Sequence, residues 1–551
     1  MCDRTLKTNE EKENAITFIL LTVFLFLIFA KIFADLRSQD IFGVDGAFRC
    51  LEVYRRRVLF FHETNHMLYP VNVLVWNWLN NVIEPHPRTL EGFFATSQLM
   101  NSVAGAGCLS IFFYLTDRVA SSWKVALSAT VGYGFSRAFL AHSTNSAEVM
   151  MGIFWSFLAV GFASLALRYG RSWPVIGSGL LFSLAMATYQ STIFLAPAAI
   201  VLFWYGRAKS KGEPLLSWSR VWDAMTFICS GFAGCLLIFG LGFWYQGIRG
   251  PANMLKTFFV HRDARAYLGL GIGKSLNLPV GLVRNIFPML PSYTGIRDLT
   301  AGPKSNLFFA ALIITAIAVM VAICTVRLAK GWNSLEPITQ TGVLVAATGL
   351  AFTMVPLTIW DPQYDKLWLQ PLACLTFLIA VALGVVHLPE DKRVFLSIPI
   401  LSLVFASLAF NISEAVRHHV QKNNDVEQAE RLSTMVSQGD LLVGDWNKVA
   451  VLYGYGWANG NLFSFTTEAV LFGPNSVSRL GDAVRRTRDS GGRVYFLGIL
   501  EESKSQWDAF LGLRCGVPFY SLDTYRQHSV VRATFDGNPS PIVLRQLESA
   551  N

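Results

Sequence analysis

Over most of this chain the apolar residues neither alternate nor recur as narrow stripes. They run for about 20 residues at a time between polar, glycine- or proline-bearing stretches. A helix rises about 1.5 Å per residue, so each such run covers the roughly 30 Å of hydrocarbon in a bilayer. Eleven spans are predicted: Ala15–Ala34, Gly92–Leu115, Val125–Ala141, Ala147–Leu167, Val175–Thr188, Ser191–Tyr205, Ala224–Tyr245, Leu307–Val326, Ile338–Trp360, Leu367–Val386 and Val394–Phe410. The fifth and sixth are short, because Pro174 to Tyr205 is long for one helix and brief for two. After Phe410 the pattern changes to a polar helix-like run, QKNNDVEQAERLSTMVSQGD, and then to short apolar stretches. LLVG (Leu441 to Gly444), VAVLY (Val449 to Tyr453) and VYFLGI (Val494 to Ile499) read as strands, and Val477 to Asp489 and Ser503 to Leu511 as helices between them. The expected architecture is an α-helical polytopic membrane domain over 1–411 and a small α/β layer domain over 412–551.

Charge orients the spans. With the N-terminus in the cytoplasm, the inner connections carry Arg118 and Lys124, Arg168 and Arg171, Arg207, Lys209, Lys211 and Arg220, Arg327 and Lys330, and Lys392 and Arg393. The short outer connections around Ser143, Gln190 and Pro362 hold almost no basic residue except Lys366. This asymmetry follows the positive-inside rule only if Pro174 to Tyr205 crosses twice. The C-terminal domain then lies outside, as do two long segments, Asp35 to Glu91 and Gln246 to Asn306. Within the first, DGAFRCLEVYRRR and NHMLYPVNVLVWNWLNNV carry apolar residues at helical spacing among basic and aromatic ones, as interfacial helices do.

The chain is 52% hydrophobic and 15% charged, with a net charge of +9. Its basic residues sit in loops between spans, so the charge argues for orientation in a membrane and against nucleic acid as a partner. Cys108, Cys229, Cys235, Cys324 and Cys374 fall in apolar segments and read as small packing residues. The first apolar run is too long for the core of a cleaved signal peptide and reads as a retained anchor. One glycosylation sequon occurs, at Asn411, and together with the lack of a retention signal it points toward a bacterial plasma membrane.

Chemistry on a lipid-borne substrate calls for carboxylates at the water interface and cations for a lipid phosphate. Asp45, between Gly43 and Gly46 in FGVDGAF, is the first acid well beyond the membrane and could deprotonate an acceptor hydroxyl; a turn or helix cap is the plainer alternative. His62, Glu63 and His66 form an HExxH string, which suggests zinc only if it lies in a regular helix with a third ligand, and otherwise a polar substrate-binding segment with Tyr69. Arg137 and Glu148 flank HSTNSAE near the outer surface, as an ion pair with each other or as functional groups. The second outer segment holds Arg249, Lys256, His261, Arg262, Arg265, Lys274, Arg284 and Arg297, an excess that suits a lipid phosphate or, more simply, anionic headgroups.

The order of these features resembles the GT-C class of integral-membrane glycosyltransferases, in particular the branch of protein mannosyltransferases and lipid A aminoarabinose transferases. Asp45 ahead of HETNHMLYP is similar to that class's first external loop, the Ser146-Ala147-Glu148 string to its acidic motif after the third span, GLLFSLAMATYQSTIFLAPAAIVLF to its short-helix pair, and DPQYDKLWLQPLACLTFLIA to its late Tyr- and Pro-containing span. Where the class often has two adjacent acids, this chain has Asp45 and Gly46, so Glu63 or Glu148 would supply the second carboxylate. The resemblance implies transfer of a sugar from a polyprenyl-phosphate donor, inversion at the sugar carbon, and a glycan, lipid or protein acceptor. It implies Asp45, Glu63 and Glu148 as catalytic residues, Arg137, Arg262 and Arg265 at the donor phosphate, and His62, His66, Tyr69, Gln190 and Tyr364 at the substrate. No metal is predicted, although a divalent cation is compatible with the chemistry. A transporter is the main alternative, since short paired helices occur there, but no internal repeat is seen; a zinc membrane protease is the third reading and an inactive scaffold the fourth.

The charge asymmetry predicts that a reporter fused after Asn551 is active only outside the cytoplasm. Cytoplasmic activity of that fusion would invert the topology.

Overall fold

A computed structural model describes residues 2–38, 44–61, 64–83, 89–169, 172–206, 218–258, 272–288, 300, 303–362, 364–385, 390–420, 424–445, 448–456, 462–512, 515–536 and 541–548. The chain divides into two compact units. One comprises Met1–Ser38, Leu59–Phe258 and Leu270–Val420; the other contains Gln421–Asn551 together with the helix at Val44–Arg56.

The elements run, in order, α1 (Cys2–Asp35), α2 (Val44–Arg56), α3 (Tyr69–Ile83), α4 (Leu90–Ala120), α5 (Trp123–Gly134), α6 (Arg137–Thr144), α7 (Val149–Tyr169), α8 (Trp173–Thr188), α9 (Ala196–Val201), α10 (Trp218–Tyr245), α11 (Pro251–Phe258), α12 (Ile272–Ile286), α13 (Lys304–Gly331), α14 (Pro337–Ile359), α15 (Asp365–Val385) and α16 (Glu390–Val420). Among the described residues seven helices are long and apolar enough to cross a membrane, and Trp173–Thr188 and Gln190–Gly206 form two shorter apolar segments. Helix underlies every predicted span, but two are irregular. The third breaks between α5 and α6 at Phe135 and Ser136. There the freed Phe135 carbonyl accepts from Asn411 Nδ2 at 2.7 Å and Ser407 Oγ at 3.3 Å, both on α16, so protein supplies the bond that this carbonyl loses at the break. Asn411 is thus buried and bonded, and its sequon is a packing residue in the bundle, not an exposed acceptor. The sixth runs as a 3-10 turn (Gln190–Leu195), then α9, then a π-turn (Leu202–Gly206).

Small residues set the close helix crossings. A Cβ at Gly179 on α8 would lie 2.0 Å from Ser230 Oγ and 2.7 Å from the Phe227 carbonyl on α10, and one at Gly234 would lie 2.2 Å from Ser183 Oγ. Lipid tails are as apolar as the helices, so backbone approach of this kind supplies the packing that holds the pair together. Further out, α3 buries Tyr69, Pro70 and Val73 and exposes Val75, Trp78, Leu79, Val82 and Ile83, which matches the predicted interfacial helix.

In the second unit the elements continue as α17 (Asp425–Met435), β1 (Leu441–Gly444), α18 (Lys448–Gly456), β2 (Leu462–Ser464), α19 (Phe465–Phe472), α20 (Asn475–Asp489), β3 (Val494–Leu497), α21 (Lys504–Trp507), α22 (Asp523–Gln527), β4 (Ser529–Phe535) and β5 (Ile542–Leu547). The sheet order is β2-β1-β3-β5-β4, with β2, β1 and β3 parallel and β5 antiparallel to both β3 and β4. Its core gathers Val443, Phe465, Leu480, Phe496 and Trp507, and Trp507 Nε1 donates to the Val517 carbonyl at 2.7 Å. VAVLY proves helical instead of extended: Val449, Ala450, Leu452 and Tyr453 are buried at i, i+1, i+3 and i+4, the spacing of one helix face. The first predicted interfacial helix is also corrected. In α2, Cys50, Leu51 and Val53 are buried, and a Cβ at Gly456 of α18 would lie 2.5 Å from Leu51, so this apolar face packs on protein.

At the carboxyl ends of β1 and β3, Thr466 Oγ1 donates to Asp445 and Glu502 stands beside the same carboxylate. Burial first, then the bond to and charge of Asp445, push the Glu502 carboxyl up to about 9, against a partial opposing pull from Arg526. A raised carboxyl favours the folded state fully below its unfolded value near 4.5, and that contribution is lost as pH rises toward 9. In the intact protein, hydrogen exchange of the β1 and β3 amides should therefore quicken across this window relative to the bundle. Glu502→Gln should flatten the dependence; an unchanged pH profile in that variant would place the source elsewhere.

Candidate functional site

Within the membrane unit, ionisable side chains gather where the turn before α7 meets the first turn of α15. The turn is pinned by the backbone. Asn101 Nδ2, buried on α4, donates to the carbonyls of Asn145 at 2.8 Å and Ala147 at 2.6 Å. Asn145 Oδ1 accepts the Ala147 amide at 2.8 Å, and Tyr69 Oη donates to the Ser146 carbonyl at 2.7 Å. These bonds fix Glu148, which has no exposed surface.

Glu148 Oε1 accepts from Lys366 Nζ at 2.7 Å and lies 3.4 Å from His66 Nε2. The other ring nitrogen of His66, Nδ1, is 3.3 Å from the Thr188 carbonyl. Both nitrogens face acceptors, an arrangement that the doubly protonated ring satisfies. The imidazole also stacks on Tyr189, with centroids 5.8 Å apart and planes at 9°. Gly152, one turn beyond Glu148, permits this: a Cβ there would lie 2.4 Å from the Cβ of Tyr189. Lys366 Nζ sits 5.1 Å from the Tyr364 ring centroid.

The neighbouring residue builds a second pair of the opposite sense, with Asp365 Oδ1 3.6 Å from His142 Nε2. Arg137 and Arg284 lie within electrostatic reach of the same carboxylate. Arg137 itself bonds Glu414 on α16, Nε to Oε2 at 3.1 Å. His66, Lys366, Arg137 and Arg284 are thus set against Glu148, Asp365 and Glu414, all in or beside the ends of membrane helices. Ionisable groups at such depth are costly and mark substrate or ion sites when they persist. The arrangement can receive an anion next to fixed carboxylates.

The predicted residues divide into three groups. Glu148, His66, Tyr69 and Tyr364 come together around Lys366. Arg137 stands beside Asp365; of the two readings of Arg137 and Glu148, the ion pair with each other is not among the described contacts, which are Lys366–Glu148 and Arg137–Glu414. Gln190 begins the 3-10 turn next to Tyr189 and is half-buried, with no contact to the array among the described bonds. His62, Glu63, Arg262 and Arg265 lie outside the described residues, and of Asp45 only the backbone is described, in the first turn of α2. His66 occupies a single 3-10 turn, Thr64–His66, not the α-helix that a zinc-binding HExxH string requires.

Sequence reasoning missed Lys366, Asp365, His142 and Asn101 as members of the site. Lys366 carried a signal, since it was the exception to the charge asymmetry of the outer connections. An Asp-Lys pair opening an apolar span is the kind of intramembrane charge that needs a partner. Asn101, in an ordinary span, carried none.

No family model matches the chain, and no curated protein matches it in sequence. Solved structures do resemble it in fold. The aminoarabinose transferase ArnT from Cupriavidus metallidurans, bound to undecaprenyl phosphate, superposes with a TM-score of 0.54 at 12% identity over 97% of this chain and 98% of that one. The Archaeoglobus fulgidus oligosaccharyltransferase in its apo form gives 0.57 at 12% identity over 95% of this chain and 74% of that one. The same enzyme tethered to an acceptor peptide gives 0.54 at 11%, with the same coverage. Polytopic helices, a small sheet domain after the last of them, and likeness along almost the whole chain give this protein the fold of the GT-C integral-membrane glycosyltransferases.

Proposed function

We propose that this protein transfers a sugar from a polyprenyl-phosphate carrier to an acceptor hydroxyl on the outer face of the membrane. The observation that carries the reading is the fold likeness over 97% of the chain to a transferase bound to undecaprenyl phosphate. The buried array of His66, Glu148, Lys366, Asp365, His142 and Arg137 supports it from within the chain. In the proposed step the acceptor oxygen attacks the sugar C1, the bond from C1 to the phosphate oxygen breaks, polyprenyl phosphate leaves, and the hydroxyl proton passes to a carboxylate. Attack opposite the leaving group inverts the anomeric centre. Lys366, His66 and Arg137 are assigned to the lipid phosphate, because a cation that strengthens its hold as charge develops on the leaving group lowers the barrier. Arg262 and Arg265 are proposed for the same phosphate on the sequence alone.

The base is assigned to Asp45, likewise on sequence. Glu148 suits the role less well, because its Oε1 is already engaged by the Lys366 ammonium at 2.7 Å and the residue has no exposed surface. Its proposed task is to hold Lys366 and His66 in place, and Glu63 stays the alternative second acid. The outer orientation, with the C-terminal domain outside a bacterial plasma membrane, is part of the same proposal.

Transfer from an undecaprenyl-phosphate-linked sugar, assayed in reconstituted membranes, tests these roles. Asp45→Asn should leave the fold intact and lower the rate by roughly 10² or more; a nearly normal rate would move the base to Glu63.

A double-mutant cycle tests the array. Lys366→Met strands a buried carboxylate and should cost about 3–5 kcal/mol of stability, while adding Glu148→Gln should recover much of that without restoring transfer. Normal transfer by the double variant would remove the array from the phosphate site.

A further inference from the structure

The membrane unit holds a half-open, largely apolar cavity of about 590 Å³ that none of the proposed chemistry uses. Its walls come from Phe112 on α4, Phe157 on α7, Ala198 on α9, Val345 on α14 and Phe377 on α15, and its size is that of a lipid- or ligand-binding pocket. One end is marked by Arg118 in the last turn of α4 and Glu336 immediately before α14, both exposed. Tyr205 and Trp332 lie at this level, tied through Gln340: Tyr205 Oη to Gln340 Oε1 is 3.3 Å, and Gln340 Nε2 donates to the Trp332 carbonyl at 2.7 Å. Aromatic rings with polar tips, beside basic side chains, collect at the membrane–water interface. From there the stretch Pro337 to Ala346 that lines the cavity climbs about 13 Å along its helix, so the walls stand at hydrocarbon depth. By the charge asymmetry this is the leaflet opposite the proposed transfer site.

Two features identify the occupant. The walls are almost entirely apolar and stand at hydrocarbon depth, where a hydrocarbon chain makes dispersion contacts with them. Among the described residues that line the cavity, the charged ones are Arg118 and Glu336. Arg118, its guanidinium 5.5 Å from the Tyr114 ring centroid, offers planar donors to a phosphate, whereas Glu336 would repel a purely anionic headgroup and attract an ammonium. We propose that the cavity binds the acyl part of a phospholipid bearing a phosphate and a primary ammonium, of the phosphatidylethanolamine class, with the phosphate at Arg118 and the ammonium at Glu336. The cavity reaches Gln370, one turn beyond Lys366 on α15, but its charged rim at Arg118 and Glu336 is distinct from the array assigned to the sugar donor, and the proposal does not rest on the transfer reaction.

The test is native mass spectrometry of the full chain, delipidated in detergent and offered equal amounts of phosphatidylethanolamine, phosphatidylglycerol and undecaprenyl phosphate. Phosphatidylethanolamine should be retained on the order of two- to fivefold over phosphatidylglycerol, the preference that one exposed ion pair supports. Glu336→Gln should erase that preference, and Arg118→Gln should lower retention of both phospholipids. Val345→Trp, which fills the cavity, should abolish retention; the two rim variants carry the test if it fails to fold. Equal retention of the two phospholipids by the unaltered chain, displacement of phosphatidylethanolamine by undecaprenyl phosphate, or retention indifferent to both rim substitutions would overturn the assignment.

Discussion

The constraint on which the membrane unit depends is the pairing of a carboxylate with no exposed surface, Glu148, with a lysine delivered from more than two hundred residues later, Lys366. Neither charge is tolerable alone at that depth, and removing one partner of such a pair leaves the other without compensation. The pair therefore fixes where the first turn of α15 sits against the turn before α7. Everything that shapes the turn serves the same end: Asn101 holds two of its carbonyls, Tyr69 a third, and Asn145 caps the Ala147 amide. His66 joins from the far side, and its ring is held by Tyr189 in a position that only glycine at 152 allows.

Because Asp365 and Lys366 are consecutive, one helix start serves two separate partners. Lys366 reaches Glu148 and Asp365 reaches His142, so α15 is clamped between two parts of the HSTNSAE stretch. The break between α5 and α6 contributes indirectly. It turns Arg137 toward Glu414, and Asn411, three residues before that acid on α16, satisfies the carbonyl that the break exposes. Irregular backbone is tolerated at membrane depth where protein supplies the missing bonds, and here it coincides with the charged array.

Long apolar runs made the helices and their order legible in the sequence, because length against bilayer thickness is a local property. Charge asymmetry added the need for two crossings between Pro174 and Tyr205, where the structure has α8 followed by the 3-10, α and π segments. Local readings failed where tertiary contact decided the outcome. VAVLY has strand-like composition yet packs one helical face, and the helix at Val44–Arg56 buries against Gly456 the face that looked suited to a membrane surface. In the site, Glu148, His66, Tyr69 and Tyr364 could be picked out as polar residues near an interface, but the lysine that binds Glu148 could not, since no local rule connects position 148 to position 366. Nor could the sequence choose a partner for Arg137: Glu148, the acid across HSTNSAE from it, is bound to a lysine from a distant helix, and Arg137 bonds Glu414.

The central claim is that this buried array receives the phosphate of a polyprenyl carrier. A density map of the protein with undecaprenyl phosphate bound tests it most directly. The account predicts the phosphate within hydrogen-bonding distance of Lys366, His66 or Arg137, with the Lys366–Glu148 bond retained; a phosphate bound away from all three cations would contradict it.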